Sequence, residues 1–252
     1  IVKQAKKLLV DASARRKAGL FLIEGARLCS DAAETGVEIE SALFTEDAIE
    51  KYPSQISQIR QKAKQMYEIT NALASYLTDT QNPQGVFCVC KQIQTQIDVK
   101  ALPLSGKYIL LENVQDPGNL GTVIRTDEAF GADGLLLSTG CCDITNPKVV
   151  RGSMGGVFRL PIGIVPNVAD AISMWNQMGL ETYACVADAS AEKITDISFN
   201  KGSICVIGNE ANGLTSETID ACHHSLTIPM NGRAESLNAA VAACVVLWEL
   251  LK

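Results

Sequence analysis

The chain has 252 residues, 47% of them hydrophobic and 5% aromatic, with a formal net charge of −6. That length holds one large domain, or a small one followed by a medium one, and the composition is that of an ordinary globular protein. The net negative charge argues against a protein coated in nucleic acid along its whole surface.

Residues 3–18 read as one helix with Ala5, Leu8, Leu9 and Ala12 on one side. This start is basic: residues 1–30 carry Lys3, Lys6, Lys7, Arg15, Arg16, Lys17 and Arg27 against only Asp11 and Glu24. A local basic patch can bind RNA phosphates while the protein stays acidic overall. A solvated helix face is the competing reading, and charge alone does not separate the two. No apolar h-region follows the lysines, so no signal peptide is expected. Leu20–Ile23 is a strand closed by Glu24 and Gly25. A helix over Ala26–Glu34, a strand over Ile39–Thr45, a helix over Tyr52–Ala63 and a strand over Val86–Cys90 follow. The alternation predicts a small α/β domain of ~90 residues. The Gln-rich stretch from Gln92 to Ser105 has weak periodicity and reads as a linker. The expected division is 1–92, a linker over 93–105, and 106–252.

The second part is more regular. Strands are expected at Tyr108–Leu111, Gly134–Ser138, Thr182–Ala187, Ser203–Ile207 and Leu226–Met230, and helices at Leu120–Phe130, Val168–Met178 and Ala239–Leu251. Continuous apolar strands alternating with helices indicate a parallel sheet covered on both faces. The longest apolar run, Ala239–Leu247, falls short of the ~20 residues that span a bilayer, so no membrane partner is expected. The nine Cys, several inside apolar segments, fit reduced thiols in a cytoplasmic protein. None shows the paired spacing of a zinc site, so no metal is expected.

Ligands of parallel sheets bind beyond the carboxyl ends of the strands. Three loops there are rich in Gly and Asn: Glu112 to Arg125, Gly208 to Thr215, and Asn231 to Asn238. Loops of like character at one end of one sheet describe a single site. The dinucleotide pattern G-x-G-x-x-G and the P-loop pattern are both absent. The two histidines, His223 and His224, lie outside the three loops, which argues against a His-based triad. Ser236 and Asn238, taken alone, read as caps of the helix that follows. Glu210 reads equally as a charge steadying the next helical turn.

The stretches NVQDPGNLGTVIRT (113–126), VIGNEANGLT (206–215) and IPMNGRAESLNAAVAACVVLWE (228–249) resemble the three motifs of the SpoU (TrmH-like) family of RNA 2′-O-ribose methyltransferases, in the SPOUT superfamily. Asn146–Gly155 and the phrase Gly19–Leu28 also match, the latter the family's L30e-like extension. The resemblance implies an α/β fold: a C-terminal trefoil-knotted domain with a parallel sheet, preceded by a small L30e-like substrate-binding domain. It implies S-adenosylmethionine as cofactor, a homodimer that completes the site, and RNA as substrate. By the same resemblance, Gly208, Ile228, Met230 and Leu237 contact the methyl donor, and Arg125, Asn119, Glu210, Ser236 and Asn238 form the catalytic set. Lys148 and Arg151, with Lys6, Lys7, Arg15 and Arg16 of the basic start, would meet RNA phosphates. A missing Cβ at Gly208 would let backbone approach the ligand. Arg125 is too strong a cation to serve as an ordinary base; it would bind a phosphate and stabilise the developing alkoxide. One departure stands out: where the family often has a small residue after the Arg-Thr pair, this chain has Asp127 and Glu128, which would pair with Arg125. The expected activity is metal-independent 2′-O-methylation of structured RNA, foremost 23S ribosomal RNA. Methylation of tRNA and a non-catalytic RNA-binding protein of the same fold remain open alternatives.

Overall fold

The computed structural model describes residues 1–93 and 96–252. Two compact units divide the chain: Ile1–Gln94 with Asp143–Arg159, and Thr95–Cys142 with Leu160–Lys252.

The first unit opens with α1 (Val2–Val10) and α2 (Ala12–Ala18), not with one continuous helix. Asp11 breaks the run: its backbone is extended, and its side chain accepts from the Ala14 amide at 3.1 Å, the geometry of an N-cap. Next come β1 (Leu20–Glu24), α3 (Ala26–Glu34), β2 (Ile39–Phe44), α4 (Glu46–Lys51), α5 (Pro53–Lys62), β3 (Gln65–Glu68), α6 (Asn71–Leu77) and β4 (Val86–Lys91). The sheet order is β1-β4-β2-β3, antiparallel except for β2 against β3. Leu8, Leu22, Leu43, Leu77 and Phe87 pack in its core. The sequence reading lacks β3, because all four of its residues are exposed and no alternation marks them.

The second unit begins at β5 (Lys107–Leu111), followed by α7 (Pro117–Phe130) and β6 (Gly134–Ser138). The chain then returns to the first unit, where α8 (Pro147–Gly152) packs on β1. It continues through β7 (Ile162–Val165), α9 (Val168–Met178), β8 (Glu181–Cys185), β9 (Glu192–Lys193), β10 (Ser203–Ile207), α10 (Ser216–Ala221), β11 (His224–Thr227) and α11 (Ala239–Leu251). The seven strands are all parallel, in the order β7-β6-β5-β10-β8-β11-β9. β6 and β10 are buried along their whole length, as strands covered on both faces must be. Trp175, Tyr108, Leu110, Ile172, Leu180 and Ile204 form the core.

α7 begins at Pro117 rather than Leu120 and β8 spans Glu181–Cys185 rather than Thr182–Ala187. β11 ends at Thr227 rather than running to Met230, since Pro229 has no amide to give to a neighbouring strand. Within the expected linker, residues 94 and 95 lie outside the described residues, but the rest is held in place. Leu102 is buried in the core of the second unit, the Ile97 amide donates to Ile162 O at 3.3 Å, and Trp175 Nε1 donates to Val99 O at 2.7 Å.

Candidate active site

Three loops meet at the carboxyl ends of the second sheet. β5 leads into residues 112–116, β10 into 208–215 and β11 into 228–238. β5 and β10 are neighbours, yet the chain leaves β5 toward β6 and β7 on one side and resumes with β8 on the other. The crevice at such a reversal of strand order is where open parallel sheets bind ligands.

Hydrogen bonds join the loops. Asn238 Nδ2 donates to Asn119 Oδ1 at 2.9 Å. Asn119 Nδ2 donates in turn to Glu210 Oε1 at 2.8 Å, and the Asp116 amide reaches the same oxygen at 3.3 Å. One residue from each of the three motifs is thereby linked. Burial pulls the Glu210 pKa up, but the Asn119 amide and nearby backbone N–H groups outweigh it and hold the carboxyl below its ordinary value. A carboxylate so stabilised orders the loops that supply its donors. Asn238 performs two tasks with its two ends: Oδ1 accepts from the Ala240 and Val241 amides at 3.0 and 3.3 Å, capping α11, while Nδ2 reaches Asn119. The cap of α7 falls to Asp116, whose Oδ1 accepts from the Asn119 amide at 2.8 Å.

Glu112 is a buried loop anchor that the sequence reading leaves as the first residue of a loop. It is buried, and it accepts from the Thr215 amide at 3.0 Å and from the hydroxyls of Thr215 and Thr218 at 3.2 and 2.7 Å. It straps the far end of the 208–215 loop to β5. The available signal was a carboxylate directly after four apolar strand residues, a place that tolerates only a well-satisfied charge. Asn113 follows with a left-handed backbone, φ 56°, a conformation Asn adopts more readily than most residues. Its amide donates to Ser138 Oγ at 2.9 Å and its carbonyl accepts from Asn209 Nδ2 at 2.8 Å.

Gly208 has a different cause from the one expected. A Cβ there would lie 2.2 Å from the Gly213 carbonyl carbon and 2.4 Å from the Leu214 nitrogen. The loop closes on itself, with paired backbone hydrogen bonds between Asn209 and Gly213 at 3.0 and 2.9 Å. The glycine is demanded by the chain's own backbone before any ligand arrives. Ile228 and Leu237 are half-buried and Met230 is 38% exposed. These are apolar atoms left uncovered amid polar loops. Among the described residues no cluster of His, Cys, Asp and Glu could hold a metal.

Arg125 and Ser236 are not drawn into the network. Ser236 is exposed. Arg125 is exposed on α7, about 9 Å along the helix axis from Asn119 at 1.5 Å per residue. Among the described residues it has no hydrogen bond or ion pair. The expected pairing with Asp127 does not form, because helical phase separates the two. Asp127 shares the core-facing stripe of Leu120, Val123 and Ile124. It is fully buried, neither carboxyl oxygen has a hydrogen-bond partner among the described residues, and burial pushes its pKa well up.

The remaining cations lie in the first unit. Lys7, Arg16 and Lys148 are exposed, and Lys6 is half-buried. Arg151 makes a two-pronged pair with Asp79, at 2.8 and 2.9 Å. Arg15 lies inside the fold: 3% exposed, it pairs with Asp143 at 2.8 Å and donates to Leu8 O at 3.0 Å. It therefore presents no charge at the surface, contrary to expectation.

Comparison with known proteins accords with this geometry. Residues 106–248 match the SpoU rRNA Methylase family, and residues 1–88 match the MRM3-like substrate binding domain. The 23S rRNA (guanosine(2553)-2′-O)-methyltransferase RlmP of Bacillus subtilis is 30% identical over 99% of this chain and 95% of its own length. An uncharacterized tRNA/rRNA methyltransferase of Synechocystis is 31% identical over 99% of the chain and 89% of its length. Among solved structures, the SpoU methyltransferase AviRb of Streptomyces viridochromogenes in complex with the cofactor AdoMet superposes with a TM-score of 0.86, at 28% identity over 99% of this chain and 96% of that one. With a family model covering more than half of its residues, the chain belongs to the SpoU rRNA methylase family.

Proposed function

We propose that the chain transfers the methyl group of S-adenosylmethionine to a ribose 2′-oxygen of structured ribosomal RNA, without a metal, as a homodimer. The observation that carries this reading is the Asn238–Asn119–Glu210 chain of hydrogen bonds, which holds three motif loops together at the strand-order reversal. When bound, S-adenosylmethionine supplies a sulfonium leaving group, so the protein has only to align the attacking oxygen and dispose of one proton. Gly208, Ile228, Met230 and Leu237 would hold the cofactor through backbone groups and uncovered apolar atoms. Arg125 would take the phosphate beside the target ribose and stabilise the developing alkoxide. A phosphate oxygen or water receives the proton, with Glu210 committed to the Asn119 and Asp116 donors that tie the loops together.

Arg125 stands apart from the loop network in a single chain, and the same two helices expose an apolar face. Phe130 on α7 is 42% exposed and Trp248 on α11 is 62% exposed, their rings edge to face at 5.9 Å, with Val241 49% exposed on α11. A face of this kind on a protein without a membrane-length apolar helix among its described residues suits a second copy of the chain. Lys6, Lys7, Arg16, Lys148 and Arg151 remain the RNA-facing set, without Arg15. The free thiols suit a reducing cytoplasm. The test is ribose-methylation mapping across total RNA from cells with and without the gene, beside calorimetry with S-adenosylmethionine. One lost position in 23S rRNA and measurable cofactor binding are expected. A lost position in tRNA would move the substrate, and cofactor binding that is absent altogether would leave a non-catalytic RNA-binding protein.

A further inference from the structure

The loop from Thr78 to Gln84 in the first unit gathers chemistry that the methyl-transfer site does not use. It follows α6, on which Tyr76 is 52% exposed. Lys6 stands 5.1 Å from the centre of the Tyr76 ring, and its Nζ reaches the Thr78 carbonyl at 3.5 Å. Asp79, in the same loop, holds the Arg151 guanidinium. Beneath the loop, at the end of β1, Glu24 is 9% exposed. Its Oε1 accepts from the hydroxyls of Thr78 and Thr80 at 2.6 and 3.1 Å. Its Oε2 is buried and has no partner among the described residues. A buried acceptor without a donor calls for an explanation, and an absent ligand is one of the few available.

We propose that this loop binds one unpaired nucleotide of the RNA: the base stacks on Tyr76, the phosphate meets Lys6 and Arg151, and an N–H or O–H of the nucleotide donates to Glu24 Oε2. The proposal rests on the RNA-methylating reading of the chain. Each element has its own chemical reason. Every base has a π face, so an exposed Tyr accepts any of them. Lys and Arg position the backbone without reading sequence. A carboxylate selects donors, which in RNA are base amino or imino groups and the 2′-hydroxyl that distinguishes RNA from DNA. Asp79 supplies the counter-charge. An arriving phosphate competes with it for Arg151, which frees the loop to shift and uncovers the Glu24 oxygen.

Fluorescence anisotropy tests this on the full chain at about 50 mM salt, where phosphate contacts are strong, with labelled single-stranded A, C and U decamers as RNA and as DNA. Tyr76→Ala should weaken every RNA about tenfold, the loss of one stacked base. Glu24→Gln should move one of two ratios at least about threefold. A smaller RNA-over-DNA preference names the ribose hydroxyl as donor, and a changed preference among bases names a base N–H. Wild-type binding by Tyr76→Ala, or both ratios unmoved in a folded Glu24→Gln, overturns the proposal. Should Glu24→Gln fail to fold, Lys6→Glu replaces it, with a loss of about tenfold expected and unchanged binding overturning the site. Cofactor calorimetry and methyl transfer to ribosomal RNA are read in parallel. A wild type that binds and methylates while Tyr76→Ala holds RNA normally refutes this site alone, whereas a wild type that does neither refutes the functional reading and the site together.

Discussion

Asp127 sets a carboxyl group inside the core of the second unit with neither oxygen partnered among the described residues, and burial raises its pKa well above the ordinary value. The sign of the consequence follows from proton binding. Above the usual aspartate pKa of about 3.9 the unfolded chain releases a proton that the folded chain keeps, so stability falls as pH rises through that window. Asp127→Ala removes the unsatisfied group and is expected to stabilise the protein at neutral pH by about 1–3 kcal/mol, flattening its pH dependence. Thermal unfolding between mildly acidic and neutral pH reads this out, and a lower melting temperature for the variant would contradict the assignment. Arg125 carries the opposite kind of expectation, an effect on rate alone. Arg125→Ala should lower kcat about 10²- to 10³-fold with the calorimetric affinity for S-adenosylmethionine unchanged, because among the described residues the side chain makes no hydrogen bond or ion pair to the loops proposed to hold the cofactor. Wild-type turnover in that variant would remove Arg125 from the mechanism. At this scale the meeting of Asn119, Glu210 and Asn238 was expected because three polar loops of like character follow strands of one sheet, and the residues themselves were singled out by the resemblance to the family's motifs. Glu112 was not, since nothing in a linear sequence says that Thr215 and Thr218 fold back to meet it. Arg15 misled because a basic helix reads the same whether its arginine faces water or Asp143.

Among the elements, the 208–215 loop is the most constrained. Its fold depends on the missing Cβ at Gly208, which leaves room for the Gly213–Leu214 backbone, and on the Glu112 strap at its far end. Gly208→Ala is therefore expected to disorder the loop and weaken S-adenosylmethionine binding about tenfold or more, with little loss of global melting temperature because the loop lies outside the sheet. Calorimetry paired with a melting curve checks both halves, and wild-type cofactor affinity would show that the loop tolerates the clash. The long apolar strands and helices were legible from sequence, several to the residue: β6, α9, β10 and α11 begin and end where the hydrophobic pattern does. Short polar elements were not. β3 has four exposed residues, and the break between α1 and α2 turns on one side-chain cap at Asp11 that helical periodicity overlooks.

For the molecule as a whole, the exposed Phe130–Trp248 face of α7 and α11 is expected to close against a second copy. Trp248→Glu should shift the protein from dimer to monomer in sedimentation and abolish methyl transfer while the chain stays folded; an unchanged dimer would place the contact elsewhere. The division into two units carries a different consequence. The first unit is built from two separate stretches of sequence, and Asp143–Arg159 supplies it with the partner of Arg15, the pair for Asp79 and the buried Val149, Val150 and Val157. No single cut in the chain can release it whole. A fragment ending near residue 92 would keep Arg15 in the interior and lose its carboxylate, a loss that costs about 3–5 kcal/mol for a buried pair. The complementary fragment would carry valines that lack their cover. Any graft of this unit, whose first stretch matches a substrate binding domain, onto another methyltransferase must therefore transplant both stretches together, and exchange of substrate preference between relatives by swapping their amino-terminal halves alone is expected to yield poorly folded hybrids.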